Sequence, residues 1–162
     1  VGMLAWTLID TIKDGKPTLM GGSIGIVAGL VGITPACGFV TPASAIIIGL
    51  TAGIVCNLVA RIVKGTFKID DTLDVFACHG VGGLIGSVLT GILADKTINP
   101  AVTDGALSAN LTGAVAVAVY SMVITFVIVK IVNVISPLRV SESQEKEGLD
   151  STQHGEVIHH LD

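Results

Sequence analysis

An all-α, polytopic helical membrane protein is what three features of this sequence predict. Apolar residues make up 51% of the chain and charged residues only 14%, with a mean hydropathy of +0.81; an ordinary soluble domain is about 25% charged. The charges are gathered into short stretches, and the runs between them are long enough to cross hydrocarbon. Twenty glycines and very few aromatics suit helices that pack backbone against backbone. The net charge of −4 and the absence of a basic stripe exclude a nucleic-acid partner.

The elements follow in order along the chain. "VGMLAWTLIDTIKDGKP" is apolar for only its first twelve or so residues, short of the roughly 17–25 that a span needs. It reads as the end of a span, and the chain as the C-terminal part of a longer protein. Between Lys16 and Arg61 lie 44 residues without a formal charge. "ITPACGFVTP" divides them, because Pro35 and Pro42 disfavour helix in the residue before each. This gives spans at about 19–35 and 42–60. A third is expected at 71–94 and a fourth at 105–136. The stretch "VAVAVYSMVITFVIVKIV" in the fourth alternates like a strand, but it is far longer than the ~9–11 residues of a spanning strand. Helix is therefore predicted, tilted or projecting because of its length.

The membrane domain is thus 1–138, and 139–162 is a tail. Numbering the connections alternately puts Lys13, Lys16, Arg61, Lys64, Lys68, Lys130, Arg139 and Lys146 on one side and Lys96 alone on the other. The positive-inside rule then makes the tail cytoplasmic in a multi-pass protein of the cell membrane. The tail has six acids and two basic residues, which account for the whole net charge of −4, and is too polar to bury a core. Cys37, Cys56 and Cys78 each lie in an apolar run and read as small buried hydrophobes. His154, His159 and His160 belong to a solvated tail. No metal, cofactor or enzymatic activity is expected.

Small residues recur every four positions, at Gly21, Gly25 and Gly29, at Gly49 and Gly53, at Gly82 and Gly86, and at Gly83, Ser87 and Gly91. Such seams let helices approach closely within one bundle. In the third span, "DVFACHGVGG" places His79 among residues that otherwise suit lipid, with no formal charge from Val75 to Ala94. At α-helical spacing Val75, His79, Gly82, Gly83 and Gly86 share one face, so His79 is expected on the close-packed, protein-facing side. An ionisable residue inside a span is a functional candidate, the alternative being a structural hydrogen bond to a neighbouring helix. Asp70, Asp71 and Asp74 precede it. They either favour the helix dipole from the interface or, if the helix starts near Phe67, leave Asp74 buried and in need of partners.

Three motifs in order, "GKPTLMGGSIGIVAGLVGITPACGFV", "KIDDTLDVFACHGVGGLIGSVLTGI" and "EKEGLDSTQHGE", resemble the ammonium transporter family across nearly the whole chain. The resemblance implies a homotrimeric eleven-span fold built from two inverted five-helix halves, of which this chain is the end of the seventh helix through the eleventh plus the tail. It implies that His79 is the second of two pore histidines, Val75 a pore-lining residue one turn away, and Asp74 a buried supporting carboxylate. Gly148, Asp150, His154, Gly155 and Glu156 match a regulatory segment that in the family packs under a neighbouring subunit and communicates with P-II signalling proteins. The first pore histidine, the aromatic gate and the external recruitment site are expected upstream.

That reading gives the histidine a physical purpose. Moving ammonium intact into a dry pore faces an idealised desolvation cost on the order of 20 kcal/mol. Removing its proton first, from a pKa of roughly 9, costs about 3 kcal/mol at neutral pH. An apolar pore with imidazoles to hold ammonia and relay the proton is therefore expected. The alternatives are a sensor on the same scaffold that signals through the tail, and a non-transporting assembly module.

Overall fold

The structure, a computed structural model, describes residues 1–156, and every regular element among them is helical. Helix α1 (Gly2–Asp14) ends at Gly15. Helix α2 (Leu19–Ile33) starts where the Thr18 hydroxyl accepts the Gly21 N–H at 2.9 Å, and a 3-10 turn at Thr34–Ala36 follows it. Helix α3 (Pro42–Gly65) begins with Pro at a position that needs no N–H, capped by the Thr41 hydroxyl. It runs through Arg61 and Lys64 to Gly65. The next helix opens with a π-helical segment, Phe76–Val81, and continues as α4 (Gly82–Leu93). Helix α5 is Ala106–Ile135.

Among the described residues, four helices are long and apolar enough to cross a membrane: Leu19–Ala36, Pro42–Gly65, Phe76–Leu93 and Ala106–Ile135. The third starts later than the sequence suggests. Residues 71–74 form a turn, and Asp71 closes the helix by accepting the N–H groups of Val75 (2.8 Å) and Phe76 (2.9 Å). The β-branched run of α5 is helical because a lone strand in hydrocarbon would leave its backbone groups unpaired, whereas a helix satisfies them internally.

Two compact units divide the chain at Val117 and Ala118. In the first, residues 1–117, α1, α2 and α3 converge on Gly2. A Cβ built there would lie 2.6 Å from the Gly25 carbonyl and 2.8 Å from the Gly29 Cα, and one on Gly53 would lie 2.6 Å from the Gly2 carbonyl. The small-residue seams are therefore contacts inside the bundle. Around them sit Trp6, Ala28, Cys56, Ala60, Ala77 and Cys78, packed with Ile24 and Val59. Cys56 and Cys78 are buried as expected, but Cys37 is exposed beside the turn that Pro35 and Pro42 force. On the opposite rim, Asp95 N–H donates to the Phe39 carbonyl at 2.8 Å. The Thr97 hydroxyl and N–H both donate to the Asp95 carboxylate and hold it below the usual carboxylate range.

In the second unit, which begins at Ala118, α5 carries Lys130 over the Phe126 ring, 5.4 Å from its centroid. Helix α6 (Glu142–Glu147) carries a capping box between Ser141 and Gln144, and a π turn spans Asp150–His154. None of the described α5 residues is buried.

The Gly2 junction sets a testable tolerance. Gly53→Val is expected to lose ~1–3 kcal/mol from overpacking against rigid backbone. Gly113→Ala in α5, whose Cβ meets nothing within 4 Å, should stay within about 1 kcal/mol of wild type and gain helix propensity. Thermal unfolding of the full-length protein in detergent checks both; equal midpoints would mean that the close approach carries no stability.

Candidate functional site

The site grows from the turn that launches the third span. Two of its three aspartates divide the labour. Asp71 caps the helix from outside and remains partly solvated. Asp74 has a left-handed backbone, φ +54, uncommon for a residue with a Cβ, and is 2% exposed. Its carboxylate turns inward to Lys64 of α3, with Nζ 2.9 Å from Oδ2 in a hydrogen bond and 2.8 Å from Oδ1. The Nζ–Oδ1 approach lacks hydrogen-bond angles, so Oδ1 is held by charge alone. Of the two readings the turn allowed, Asp71 follows the dipole reading directly, and Asp74 is buried although the helix does not start at Phe67.

Beyond Asp74 the backbone widens. Cys78 N–H still reaches four residues back to the Asp74 carbonyl at 2.8 Å, but Gly82 N–H reaches five back to the Ala77 carbonyl and is shared with the His79 carbonyl. A π turn accommodates one extra residue and rotates everything after it by about one α-helical step, roughly 100°. The buried face is consequently Asp74, Ala77, Cys78, Gly82, Gly86 and Thr90. A Cβ on Gly82 would sit 3.2 Å from Cys56 Sγ, and Gly86 abuts the Gly32 carbonyl.

This corrects the face predicted for His79. Uniform α-helical spacing grouped His79 with Gly82 and Gly86 on the packed side; the widened turn separates them. His79 is exposed, together with Val75 (51%) and Gly80, on the side away from α2 and α3. Val75, His79 and Asp74 therefore lie within six residues but do not share a surface. Val75 and His79 belong to the open face, and Asp74 to the buried one.

A second polar cluster went unread in the sequence. Asn57 Nδ2 donates to Asp10 Oδ1 at 2.8 Å, and Arg61 Nη2 donates to the same oxygen at 2.7 Å. Arg61 Nε donates to Asn57 Oδ1 at 2.8 Å, and Nη1 to Asp14 Oδ1 at 2.9 Å. Asn57, Arg61 and Lys64 follow the i, i+4, i+7 spacing of one helix face, and Asp10 and Asp14 that of another. That periodicity was the available signal. With Trp6, Thr18 and Asp74 these residues line a cleft of about 490 Å³.

In the tail, Gly148 (φ +108, ψ 136) ends α6 in a conformation that disfavours a side chain. Its carbonyl accepts the Thr152 hydroxyl at 2.8 Å and the Ser151 hydroxyl at 3.1 Å. Gly155 (φ +67) closes the π turn, and Glu156 N–H donates to the Asp150 carbonyl at 2.9 Å. Asp150, His154, Gly155 and Glu156 are thus one compact turn hung on Gly148. His159 and His160 lie outside the described residues. Among the described residues no three His, Cys, Asp or Glu side chains are grouped as metal ligands.

Comparisons with known proteins identify the family and the fold. The model of the Ammonium Transporter Family matches residues 1–158. A putative ammonium transporter of Methanothermobacter thermautotrophicus is 40% identical over 168 residues, covering 99% of this chain and 41% of the relative. The ammonium transporter of Bacillus subtilis is 43% identical over 162 residues, 96% of this chain and 40% of its own length. Among solved structures, Mep2 of Saccharomyces cerevisiae superposes with a TM-score of 0.80 at 38% identity, over 94% of this chain and 37% of that one. A Sensor Amt Protein superposes at 0.83 with 27% identity, over 94% of this chain and 38% of that one. The chain therefore spans about two-fifths of the length of the relatives it matches.

The clasp around Asp10 yields a prediction. Asp10→Leu leaves Asn57 and Arg61 without their shared acceptor and should destabilise by roughly 2–3 kcal/mol. That is less than a fully buried pair would lose, because 34% of the Arg61 side chain stays exposed. Asp14→Ala, at the exposed end of the same clasp, should lose much less. Thermal unfolding of both variants checks the order; a larger loss for Asp14→Ala would contradict it.

Proposed function

This chain belongs to the ammonium transporter family, and from that premise we propose that it forms part of an ammonium-conducting pore in which His79 handles the proton. It is a multi-pass membrane protein with an all-helical fold. The observation that carries the proposal is the outward turn of His79. A histidine serving only to pack this seam would lie in it with Gly82, whereas the π turn sets this one beside Val75, outside the side that packs on α2 and α3.

The chemistry follows from that placement. A neutral imidazole offers one donor and one acceptor nitrogen, so it can accept a hydrogen bond from ammonia or pass a proton without becoming a permanent charge. The apolar wall formed with Val75 penalises an intact cation and admits a neutral molecule. Ammonium gives up its proton before the dry section, ammonia crosses along the wall, and the proton travels separately through imidazole nitrogens. Family resemblance supports a homotrimer in the cell membrane with the Gly148–Glu156 turn on the cytoplasmic side, where a P-II signalling protein would dock. A second reading, ammonium sensing through the tail, is favoured by the likeness to the Sensor Amt Protein. Ammonium-dependent current separates them, since a sensor needs a tail response without flux.

Substituting His79 tests the role. In the full-length protein, His79→Leu keeps bulk but removes both nitrogens and should abolish proton-coupled ammonium current. His79→Glu keeps an ionisable group and is expected to retain current while admitting potassium. A well-assembled His79→Leu protein with wild-type current and selectivity would end the relay reading.

Gly148→Asp forces a side chain onto φ +108 and is expected to lower flux while leaving assembly intact, as measured by ammonium uptake alongside detergent-resolved oligomer size. Normal uptake would remove the tail from the coupling.

A further inference from the structure

We propose that Lys64 is a positioning residue for the pore: by fixing Asp74 it selects the widened helical turn that aims His79 outward. The inference rests on the proposed role of His79 and extends it to a residue on another helix.

Two anchors set the register of this helix. At the far end, Gly86 is committed to the packed face, because Pro35 and the Gly32 backbone leave no room for anything larger, and a Cβ on Gly82 would press on Cys56 Sγ at 3.2 Å. At the near end, Asp74 is committed to the same face by its pair with Lys64, 10 residues earlier in sequence. In an uninterrupted α-helix Asp74 would lie about 80–120° away from Gly82 and Gly86. One additional residue within the turn removes that offset, and the Gly82 N–H to Ala77 bond is that addition. Asp74 stands one residue before the helix at φ +54 and starts its path through the carbonyl that accepts the Cys78 N–H, and the widened turn brings that starting point to the side of Gly82 and Gly86.

The cost falls on the residues in between, and His79 is one of them. With the turn widened, Ala77 and Cys78 take the buried positions and His79 is exposed. Without the near anchor the helix is free to recover ordinary register, in which His79 rotates toward the Gly82–Gly86 seam. The carboxylate of Asp71 already satisfies the Val75 and Phe76 N–H groups, so Asp74 is not needed as a cap. Its burial serves the pairing with Lys64. Lys64 is 46% exposed at its side chain and Asp74 3%, so the lysine brings the neutralising charge in from the membrane edge.

Three variants of the full-length protein test this, each carried through assembly, thermal unfolding, ammonium flux and a cryo-EM structure. Lys64→Met should assemble yet lose at least tenfold in flux, with the Gly82 N–H moved from the Ala77 carbonyl to the Cys78 carbonyl and His79 turned inward. Lys64→Arg keeps the ion pair and should stay within a few-fold of wild type. The pair Lys64→Met with Asp74→Asn removes the orphaned charge; it should regain thermal stability but not flux, which separates positioning from mere folding. Wild-type flux in Lys64→Met, or an unchanged π turn in its structure, overturns the proposal. If the wild-type protein carries no ammonium, the transport reading fails, and the helix register in Lys64→Met still decides the role of Lys64.

Discussion

A carboxylate placed where water is scarce must keep a cation beside it or lose its charge. Asp74 is in that position, and its cation comes from α3, which therefore has to run past the apolar run to Lys64 before it stops at Gly65. The turn at 66–73 must then bring the chain back so that position 74 meets position 64. Asp71, not Asp74, has to cap the next helix, because the inward carboxylate is occupied. The helix that follows begins with one residue too many for ordinary register, and the widened turn absorbs it. The placement of the histidine is the last link in that sequence of requirements.

The surrounding bundle makes this possible by being rigid where it matters. Helix association in lipid depends on close packing, since hydrocarbon offers no hydrophobic gradient between helices. Gly2, Gly25, Gly29 and Gly53 bring three backbones into contact, and Gly32 and Gly86 join α2 to α4 in the same way. The Asp10–Asn57–Arg61–Asp14 clasp ties α1 to α3 near the same end as the Lys64–Asp74 pair. A seam without side chains cannot adjust by changing rotamers, so a difference in register between anchors is taken up by the helix backbone, at the π-helical segment Phe76–Val81.

Much of this was legible in the sequence, for reasons that can be stated. Long uncharged runs, Pro35 and Pro42 separate the helices, and spacing by four identified the seams, because lipid imposes helix and glycine imposes contact. The three motifs identified the family. What escaped was any feature set by a partner distant in sequence. His79 falls on another face than uniform 3.6-residue periodicity gives, because that periodicity assumes an unbroken ladder and the π turn at Phe76–Val81 interrupts it. The clasp escapes a reading that counts Arg61 toward orientation alone and does not set Asp10, Asp14 and Asn57 on their helix faces. Cys37 was read as buried from its apolar neighbours, yet it lies on an exposed turn.

On the proposed mechanism, ammonium crosses as ammonia while its proton moves separately. The most direct test is the ammonium-evoked current of the full-length protein in membranes, measured in H2O and then in D2O at matched acidity. Proton transfer through imidazole makes breaking an N–H bond part of the conduction step. The current should fall markedly in D2O while the size and stability of the protein stay the same. An equal current in the two solvents, with the isotopes fully exchanged, would mean that the cation passes whole and that His79 does not carry its proton.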